Sequence, residues 1–171
     1  DASAVNSTGT SLGINFAGSI EATGTGGGIS ITGKSGTAAV DVATGLGGSS
    51  VLAKSGPITI SGVNDIANLA ISAQGSTIGF KSGSNVTSSS SDITFIGDMI
   101  SYGSATVQSS GILALKPYTA GTTIGIGTGS GNWTVANSLF SGTSVFKDGF
   151  SGIVIGTSNA GNLTVGGANT F

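Results

Sequence analysis

Ile29-Ser30-Ile31-Thr32-Gly33, preceded by Gly28, returns as Ile58-Thr59-Ile60-Ser61-Gly62, preceded by Pro57, at an offset of 29 residues. The same offset carries Val40-Asp41-Val42 onto Leu69-Ala70-Ile71, and Ile124-Gly125-Ile126-Gly127-Thr128 onto Ile153-Val154-Ile155-Gly156-Thr157. Gly131-Asn132-Trp133-Thr134-Val135 matches Gly161-Asn162-Leu163-Thr164-Val165 at 30, which implies one inserted turn residue. Ile93-Thr94-Phe95 follows Ile58 by 35 positions, so one connection is longer. A unit of this length cannot bury its own apolar stripe. It can do so by stacking on a copy of itself, and the length of the chain allows about six such units.

Within each unit the local period is two. Large apolar residues alternate with small polar ones at Leu12-Ile14-Phe16, Ile78-Phe80, Leu113-Leu115 and the sites above, in runs of about four to six residues between Gly, Ser, Thr and Asn. Helical spacing is confined to residues 136–150, where Leu139, Phe140, Val145, Phe146 and Phe150 fit a helical turn or a bulky loop. Short strands on a long period predict an all-β chain, a right-handed parallel β-helix (β-solenoid) of about six coils with 29–30 residues per coil, right-handed because parallel crossovers are. Ile, Val, Leu and Phe would form its core columns. A β-sandwich also has short alternating strands, but it predicts hairpins and no fixed long period.

Composition removes whole classes of function. The chain has 171 residues, of which only 7% are charged, with five Lys, no Arg, no His and no Cys. Cys/His metal centres, disulfides and His-dependent catalytic triads are therefore excluded. A formal charge of −2 without arginine suits neither a nucleic-acid backbone nor an anionic membrane surface. No run approaches the 18 or so apolar residues of a membrane helix, so no membrane insertion is expected. The 37% of hydrophobic residues, set in regular clusters, also argue against disorder.

Several strings imitate functional motifs. Gly28-Ile29-Ser30-Ile31-Thr32-Gly33-Lys34-Ser35 spells a phosphate-binding loop, yet its variable residues are themselves an alternating strand and no helix pattern follows. Lys-Ser-Gly occurs at residues 34–36, 54–56 and 81–83. Neighbouring side chains in a strand or turn point apart, so these copies read as turn chemistry rather than Ser/Lys nucleophile pairs. The carboxylates Glu21, Asp41, Asp65, Asp92, Asp98 and Asp148 are dispersed, with Asp92 and Asp98 at opposite ends of one strand run. They form neither a calcium repeat nor a hydrolytic pair. Asn132 and Asn162 occupy equivalent repeat positions and are expected to stack as an amide ladder inside a corner. Both also fit glycosylation sequons, as do Asn6 and Asn85, at a frequency chance explains. Trp133, Phe140, Phe146 and Phe150 read as the wide part of the core, with an exposed binding patch as the alternative. Regular Thr-x-Thr columns, which an ice-binding face needs, are missing from most coils.

Lys116-Pro117-Tyr118, Thr123-Ile124-Gly125-Ile126-Gly127, Gly131-Asn132-Trp133-Thr134-Val135 and the run from Asp148-Gly149-Phe150-Ser151-Gly152 through Ile153-Val154-Ile155-Gly156 together resemble a recurring unit of very large bacterial surface exoproteins. These belong to the filamentous-haemagglutinin class of adhesins and biofilm proteins. The resemblance covers about residues 111–168. It implies export to the cell surface and a right-handed β-helical shaft. Nothing here resembles that class's N-terminal secretion domain, so residues 1–171 are expected to be a single solenoid segment from inside a longer protein. The expected function is structural, a secreted shaft or fibre that projects or bundles without catalysis. No catalytic residue, cofactor or metal is expected. Its partners would be adjacent coils, other copies of itself, or host and matrix glycans. A fibre subunit joining through uncapped ends and a carbohydrate-acting β-helix enzyme are the alternatives.

Overall fold

Segments too short to bury an apolar face alone, and rich in β-branched residues, are stabilised chiefly by pairing edge to edge. The computed structural model describes residues 12–16, 18–34, 38–42, 50–63, 77–80, 85–141 and 145–167. Its first twelve strands run β1 Leu12–Phe16, β2 Ser19–Ala22, β3 Ile29–Lys34, β4 Ala38–Val42, β5 Ser50–Ala53, β6 Ile58–Val63, β7 Thr77–Phe80, β8 Asn85–Ser88, β9 Ile93–Ile96, β10 Met99–Ser101, β11 Thr106–Gln108 and β12 Ile112–Lys116. Then come β13 Ile124–Gly127, β14 Trp133–Val135, a 3-10 turn at Asn137–Leu139, β15 Gly152–Ile155 and β16 Leu163–Gly166.

Every third strand shares a sheet. The orders are β1-β4-β7-β10, β2-β5-β8-β11 and β3-β6-β9-β12-β15, with a fourth sheet of β14-β13-β16. All pairs between described strands are parallel. Such order needs crossovers rather than hairpins, which removes the sandwich. The chain is nearly all β with parallel sheets. Among the described residues no helix is long and apolar enough to cross a membrane.

Register explains the core. Ile29 lies against Ile58, Ile58 against Ile93, Ile93 against Leu113, and Leu113 against Ile153. A parallel column two residues along runs Ile31, Ile60, Phe95, Leu115, Ile155. Facing them, the second sheet stacks Ile20, Val51, Val86 and Val107, and a single bridge adds Phe146. The middle members of these columns are fully buried. Each such side chain contributes roughly 1.5–3 kcal/mol of transfer free energy.

The regular period does not survive. The 29-residue step holds from β3 to β6 and the 35-residue step from β6 to β9, as expected, but the next steps are 20 and 40. Ladder bonds and in/out alternation fix the register of a strand, whereas surface turns accept insertions. Val40 pairs with Ile78, and its expected partner Leu69 lies outside the described residues. The third sheet is five strands deep, against the six layers expected. Nor does Ile124 lie over Ile153. Ile124 sits between Trp133 and Leu163, while Ile153 pairs with Leu113. The cause is a return of only five residues between β13 and β14, where a parallel crossover normally takes a dozen or more. A Cβ at Gly131 would strike the Gly125 main chain, so glycine permits this tight return. It gives β13 a local partner and places β13 in a sheet of its own.

Close stacking also demands small residues at the corner before the third sheet. Gly27, Gly56, Ser91 and Gly111 occupy equivalent register positions there. A Cβ on Gly56 would overlap the Gly27 carbonyl. Gly56→Ala is therefore expected to cost about 1–3 kcal/mol through backbone displacement, seen as an earlier urea midpoint. An unchanged midpoint would show that this corner is looser than described.

Candidate functional site

At the end of the stack formed by β15 and β16, apolar residues in register with the core columns are left uncovered. Ile153 is 37% exposed, Val154 45%, Leu163 47% and Val165 56%, whereas their register partners Leu113, Ala114, Ile124 and Ile126 are buried. Both strands are the last in their sheets. Their main-chain bonds run inward, as in Gly156 N–H to the Leu115 carbonyl at 2.8 Å and Thr128 N–H to the Gly166 carbonyl at 3.1 Å. No described strand lies beyond β15 or β16 in either sheet. An open parallel edge with uncovered aliphatic side chains is able to accept a further strand layer.

Asp98 shapes the approach to this end. Its carboxylate is 6% exposed and follows β9. It accepts Tyr118 N–H at 2.9 Å, Thr119 N–H at 3.0 Å and the Thr122 hydroxyl at 3.2 Å. The loop that carries the chain from β12 to β13 is thus tied to the layer below. On its other side Gly121 N–H donates to the Asn159 carbonyl at 2.8 Å and Gly161 N–H to the Thr122 carbonyl at 2.9 Å.

Serine hydroxyls, not amides, form the axial ladder. The Ser55 hydroxyl accepts Gly26 N–H at 2.8 Å, and Ser88 donates to the Gly56 carbonyl at 3.0 Å. Ser89 and Ser91 donate to the carbonyls of Lys54 and Ser55. Ser109 and Ser110 continue to Ser91 and Ser89 at 2.5 and 2.9 Å. The expected Asn132/Asn162 ladder does not form, because β14 and β16 pair with opposite edges of β13. Asn132 bonds Thr123 at its hydroxyl, 2.5 Å, and the Asn162 carbonyl accepts Ile124 N–H at 2.9 Å on the far side.

The other sequence candidates are placed as follows. Residues 29–34 of the phosphate-loop string are β3, in register with β6 rather than forming a backbone nest; Ser35 lies outside the described residues. Lys54-Ser55-Gly56 forms the turn after β5, with Ser55 holding Gly26, while the remainder of the other two copies lies outside them apart from Lys34 in β3. Asp92 accepts Ile112 N–H at 2.8 Å, so Asp92 and Asp98 serve different partners. Glu21 accepts the Ser19 hydroxyl at 2.8 Å. Asp41 lies in β4, and Asp65 is outside the described residues. Trp133, Phe140 and Phe146 are buried as part of the core, and Phe150 packs against it while staying half-exposed. Tyr102 joins them, edge-on to Phe95 at 6.0 Å and to Phe146 at 5.0 Å. Its burial pushes the phenol well above the ordinary tyrosine range, so it stays protonated. No group of three or more acidic, His or Cys residues suited to a metal occurs among the described residues.

No protein-family model, curated protein or solved structure matches this chain, so its own residues and geometry carry any functional reading.

Proposed function

We propose that the chain is a length of right-handed parallel β-helix serving as the structural shaft of a secreted bacterial surface adhesin or fibre. Three sheets that each take every third strand support a winding of three strands per layer, and parallel crossovers are almost always right-handed. Work of this kind is mechanical. The layers project or bundle, and the carboxylates Asp92 and Asp98 hold main-chain N–H groups rather than a substrate.

The observation that carries the reading is the exposure of Ile153, Leu163 and Val165, which continue the buried columns of Leu113, Ile124 and Ile126 onto the last strands of their sheets. The occupant of this end is a further β layer. The same surface favours a second reading, in which copies join end to end into a fibre through a heterologous contact. Sedimentation of the purified chain tests both. Concentration-dependent association is expected, abolished in Ile153→Lys/Leu163→Lys with an unchanged circular dichroism spectrum. A wild-type chain that stays monomeric throughout, or association untouched by both lysines, would remove this end as a stacking surface.

A further inference from the structure

The serine corner ends in a different chemistry. The turn around Asp148 and Gly149 lies over Ser109 and Ser110, with a Cβ at Gly149 3.9 Å from the Ser109 carbonyl oxygen. Two hollows adjoin across this turn and share both of its residues. One, of about 330 Å³, is lined by Thr87, Ser89, Gln108 and Ser110, among others. The second, of about 220 Å³, is walled by Phe140, Phe146 and Phe150. Together they reach the size of small-ligand clefts.

The polar wall has a definite hydrogen-bonding sense. Ser89 and Ser110 give their protons to the carbonyls of Lys54 and Ser89, so their lone pairs remain to accept. Asp148 is exposed, and its carboxylate oxygens bond no described residue and offer acceptors. Gln108 is exposed and offers both a donor and an acceptor. A groove rich in acceptors selects a ligand rich in O–H donors. Lys147 also lines the second hollow, beside Asp148, so the pair carries one positive and one negative side chain and no net charge that would favour phosphate, sulfate or uronate groups. The half-buried Phe150 beside it supplies an apolar surface. Hydroxyl edges together with a C–H face describe a pyranose ring.

We infer that the paired hollows about Asp148 bind a neutral oligosaccharide, its hydroxyls on Gln108, Ser110 and Asp148 and one sugar face against Phe150. Ile153 borders the apolar hollow, so the site is open on a terminal layer and covered where another layer stacks. Leu163→Lys, outside the hollows, serves as the background in which association is suppressed. This separates failure of glycan binding from failure of the shaft reading.

The test is amide chemical-shift titration of that variant with chitohexaose, maltohexaose and xylohexaose, and with a heparin hexasaccharide as the anionic control. Saturable shifts are expected at Ser89, Gln108, Ser110 and Gly149 with at least one neutral sugar, and none with heparin. Asp148→Asn, Gln108→Ala and Phe150→Leu should each weaken binding, by about tenfold for Asp148→Asn, whose hydrogen bonds are charge-assisted. The first two changes are at exposed positions and should leave melting unaltered. Absence of saturable shifts with all three neutral sugars, shifts confined to another surface, heparin binding at this turn, or equal affinity in all three variants would each overturn the assignment.

Discussion

Phe95→Asp is expected to leave no cooperative thermal transition. Phe95 is fully buried, paired in register with Ile60 and Leu115 and edge-on to Tyr102. Truncating a buried aromatic removes about 3–5 kcal/mol, and an unpaired carboxylate in the same place adds several more. Against a total stability of about 5–15 kcal/mol, the combined loss is of the size of the fold itself. The matched control is Ile155→Asp, in the same column on the half-buried terminal strand, expected to cost about 1 kcal/mol or less. Melting followed by circular dichroism distinguishes them. Equal losses at the two positions would mean that the column does not run from a sealed interior to an open end.

The second large effect is expected at Asp98. Removing its carboxylate in Asp98→Ala strands the Tyr118 and Thr119 N–H groups in a partly buried site. At about 1–3 kcal/mol for each unsatisfied group, the loss should reach about 3–5 kcal/mol. Asp98→Asn keeps one acceptor oxygen and should lose about half as much. Hydrogen exchange locates the damage, because the amides of residues 118–122 should lose protection while those of β6 keep theirs. Uniform loss of protection would make Asp98 part of the global core rather than the clasp of one loop.

These two positions also show what the sequence made legible. Phe95 was readable because alternation of large aliphatic or aromatic residues marks an inward face, and the third sheet consists of such pairs. The second sheet escaped that test. Its inward positions pair one aliphatic residue with a small one, as in Val51 with Ala53 and Val86 with Ser88, so β2, β5, β8 and β11 lacked the paired signal. The repeat at residues 124–128 and 153–157 misled because similar strings can form strands without sharing a ladder. Partner choice there was decided by a tight five-residue glycine return, which repeat matching overlooks, and by the Asp98 clasp, a contact between segments 20 residues apart that no local pattern encodes. The serine corner was hidden for the opposite reason. Serine is common throughout the chain, and only stacking shows which hydroxyls meet the carbonyls of the layer below.

Cross-strand nuclear Overhauser contacts test the central claim most directly. Parallel layers predict contacts linking Ile29 to Ile58, Ile58 to Ile93 and Leu113 to Ile153, no close Hα–Hα pairs between strands, and Ile124 in contact with Trp133 and Leu163. Close Hα–Hα pairs between successive strands would mean antiparallel hairpins, and would contradict the layered fold and every function drawn from it.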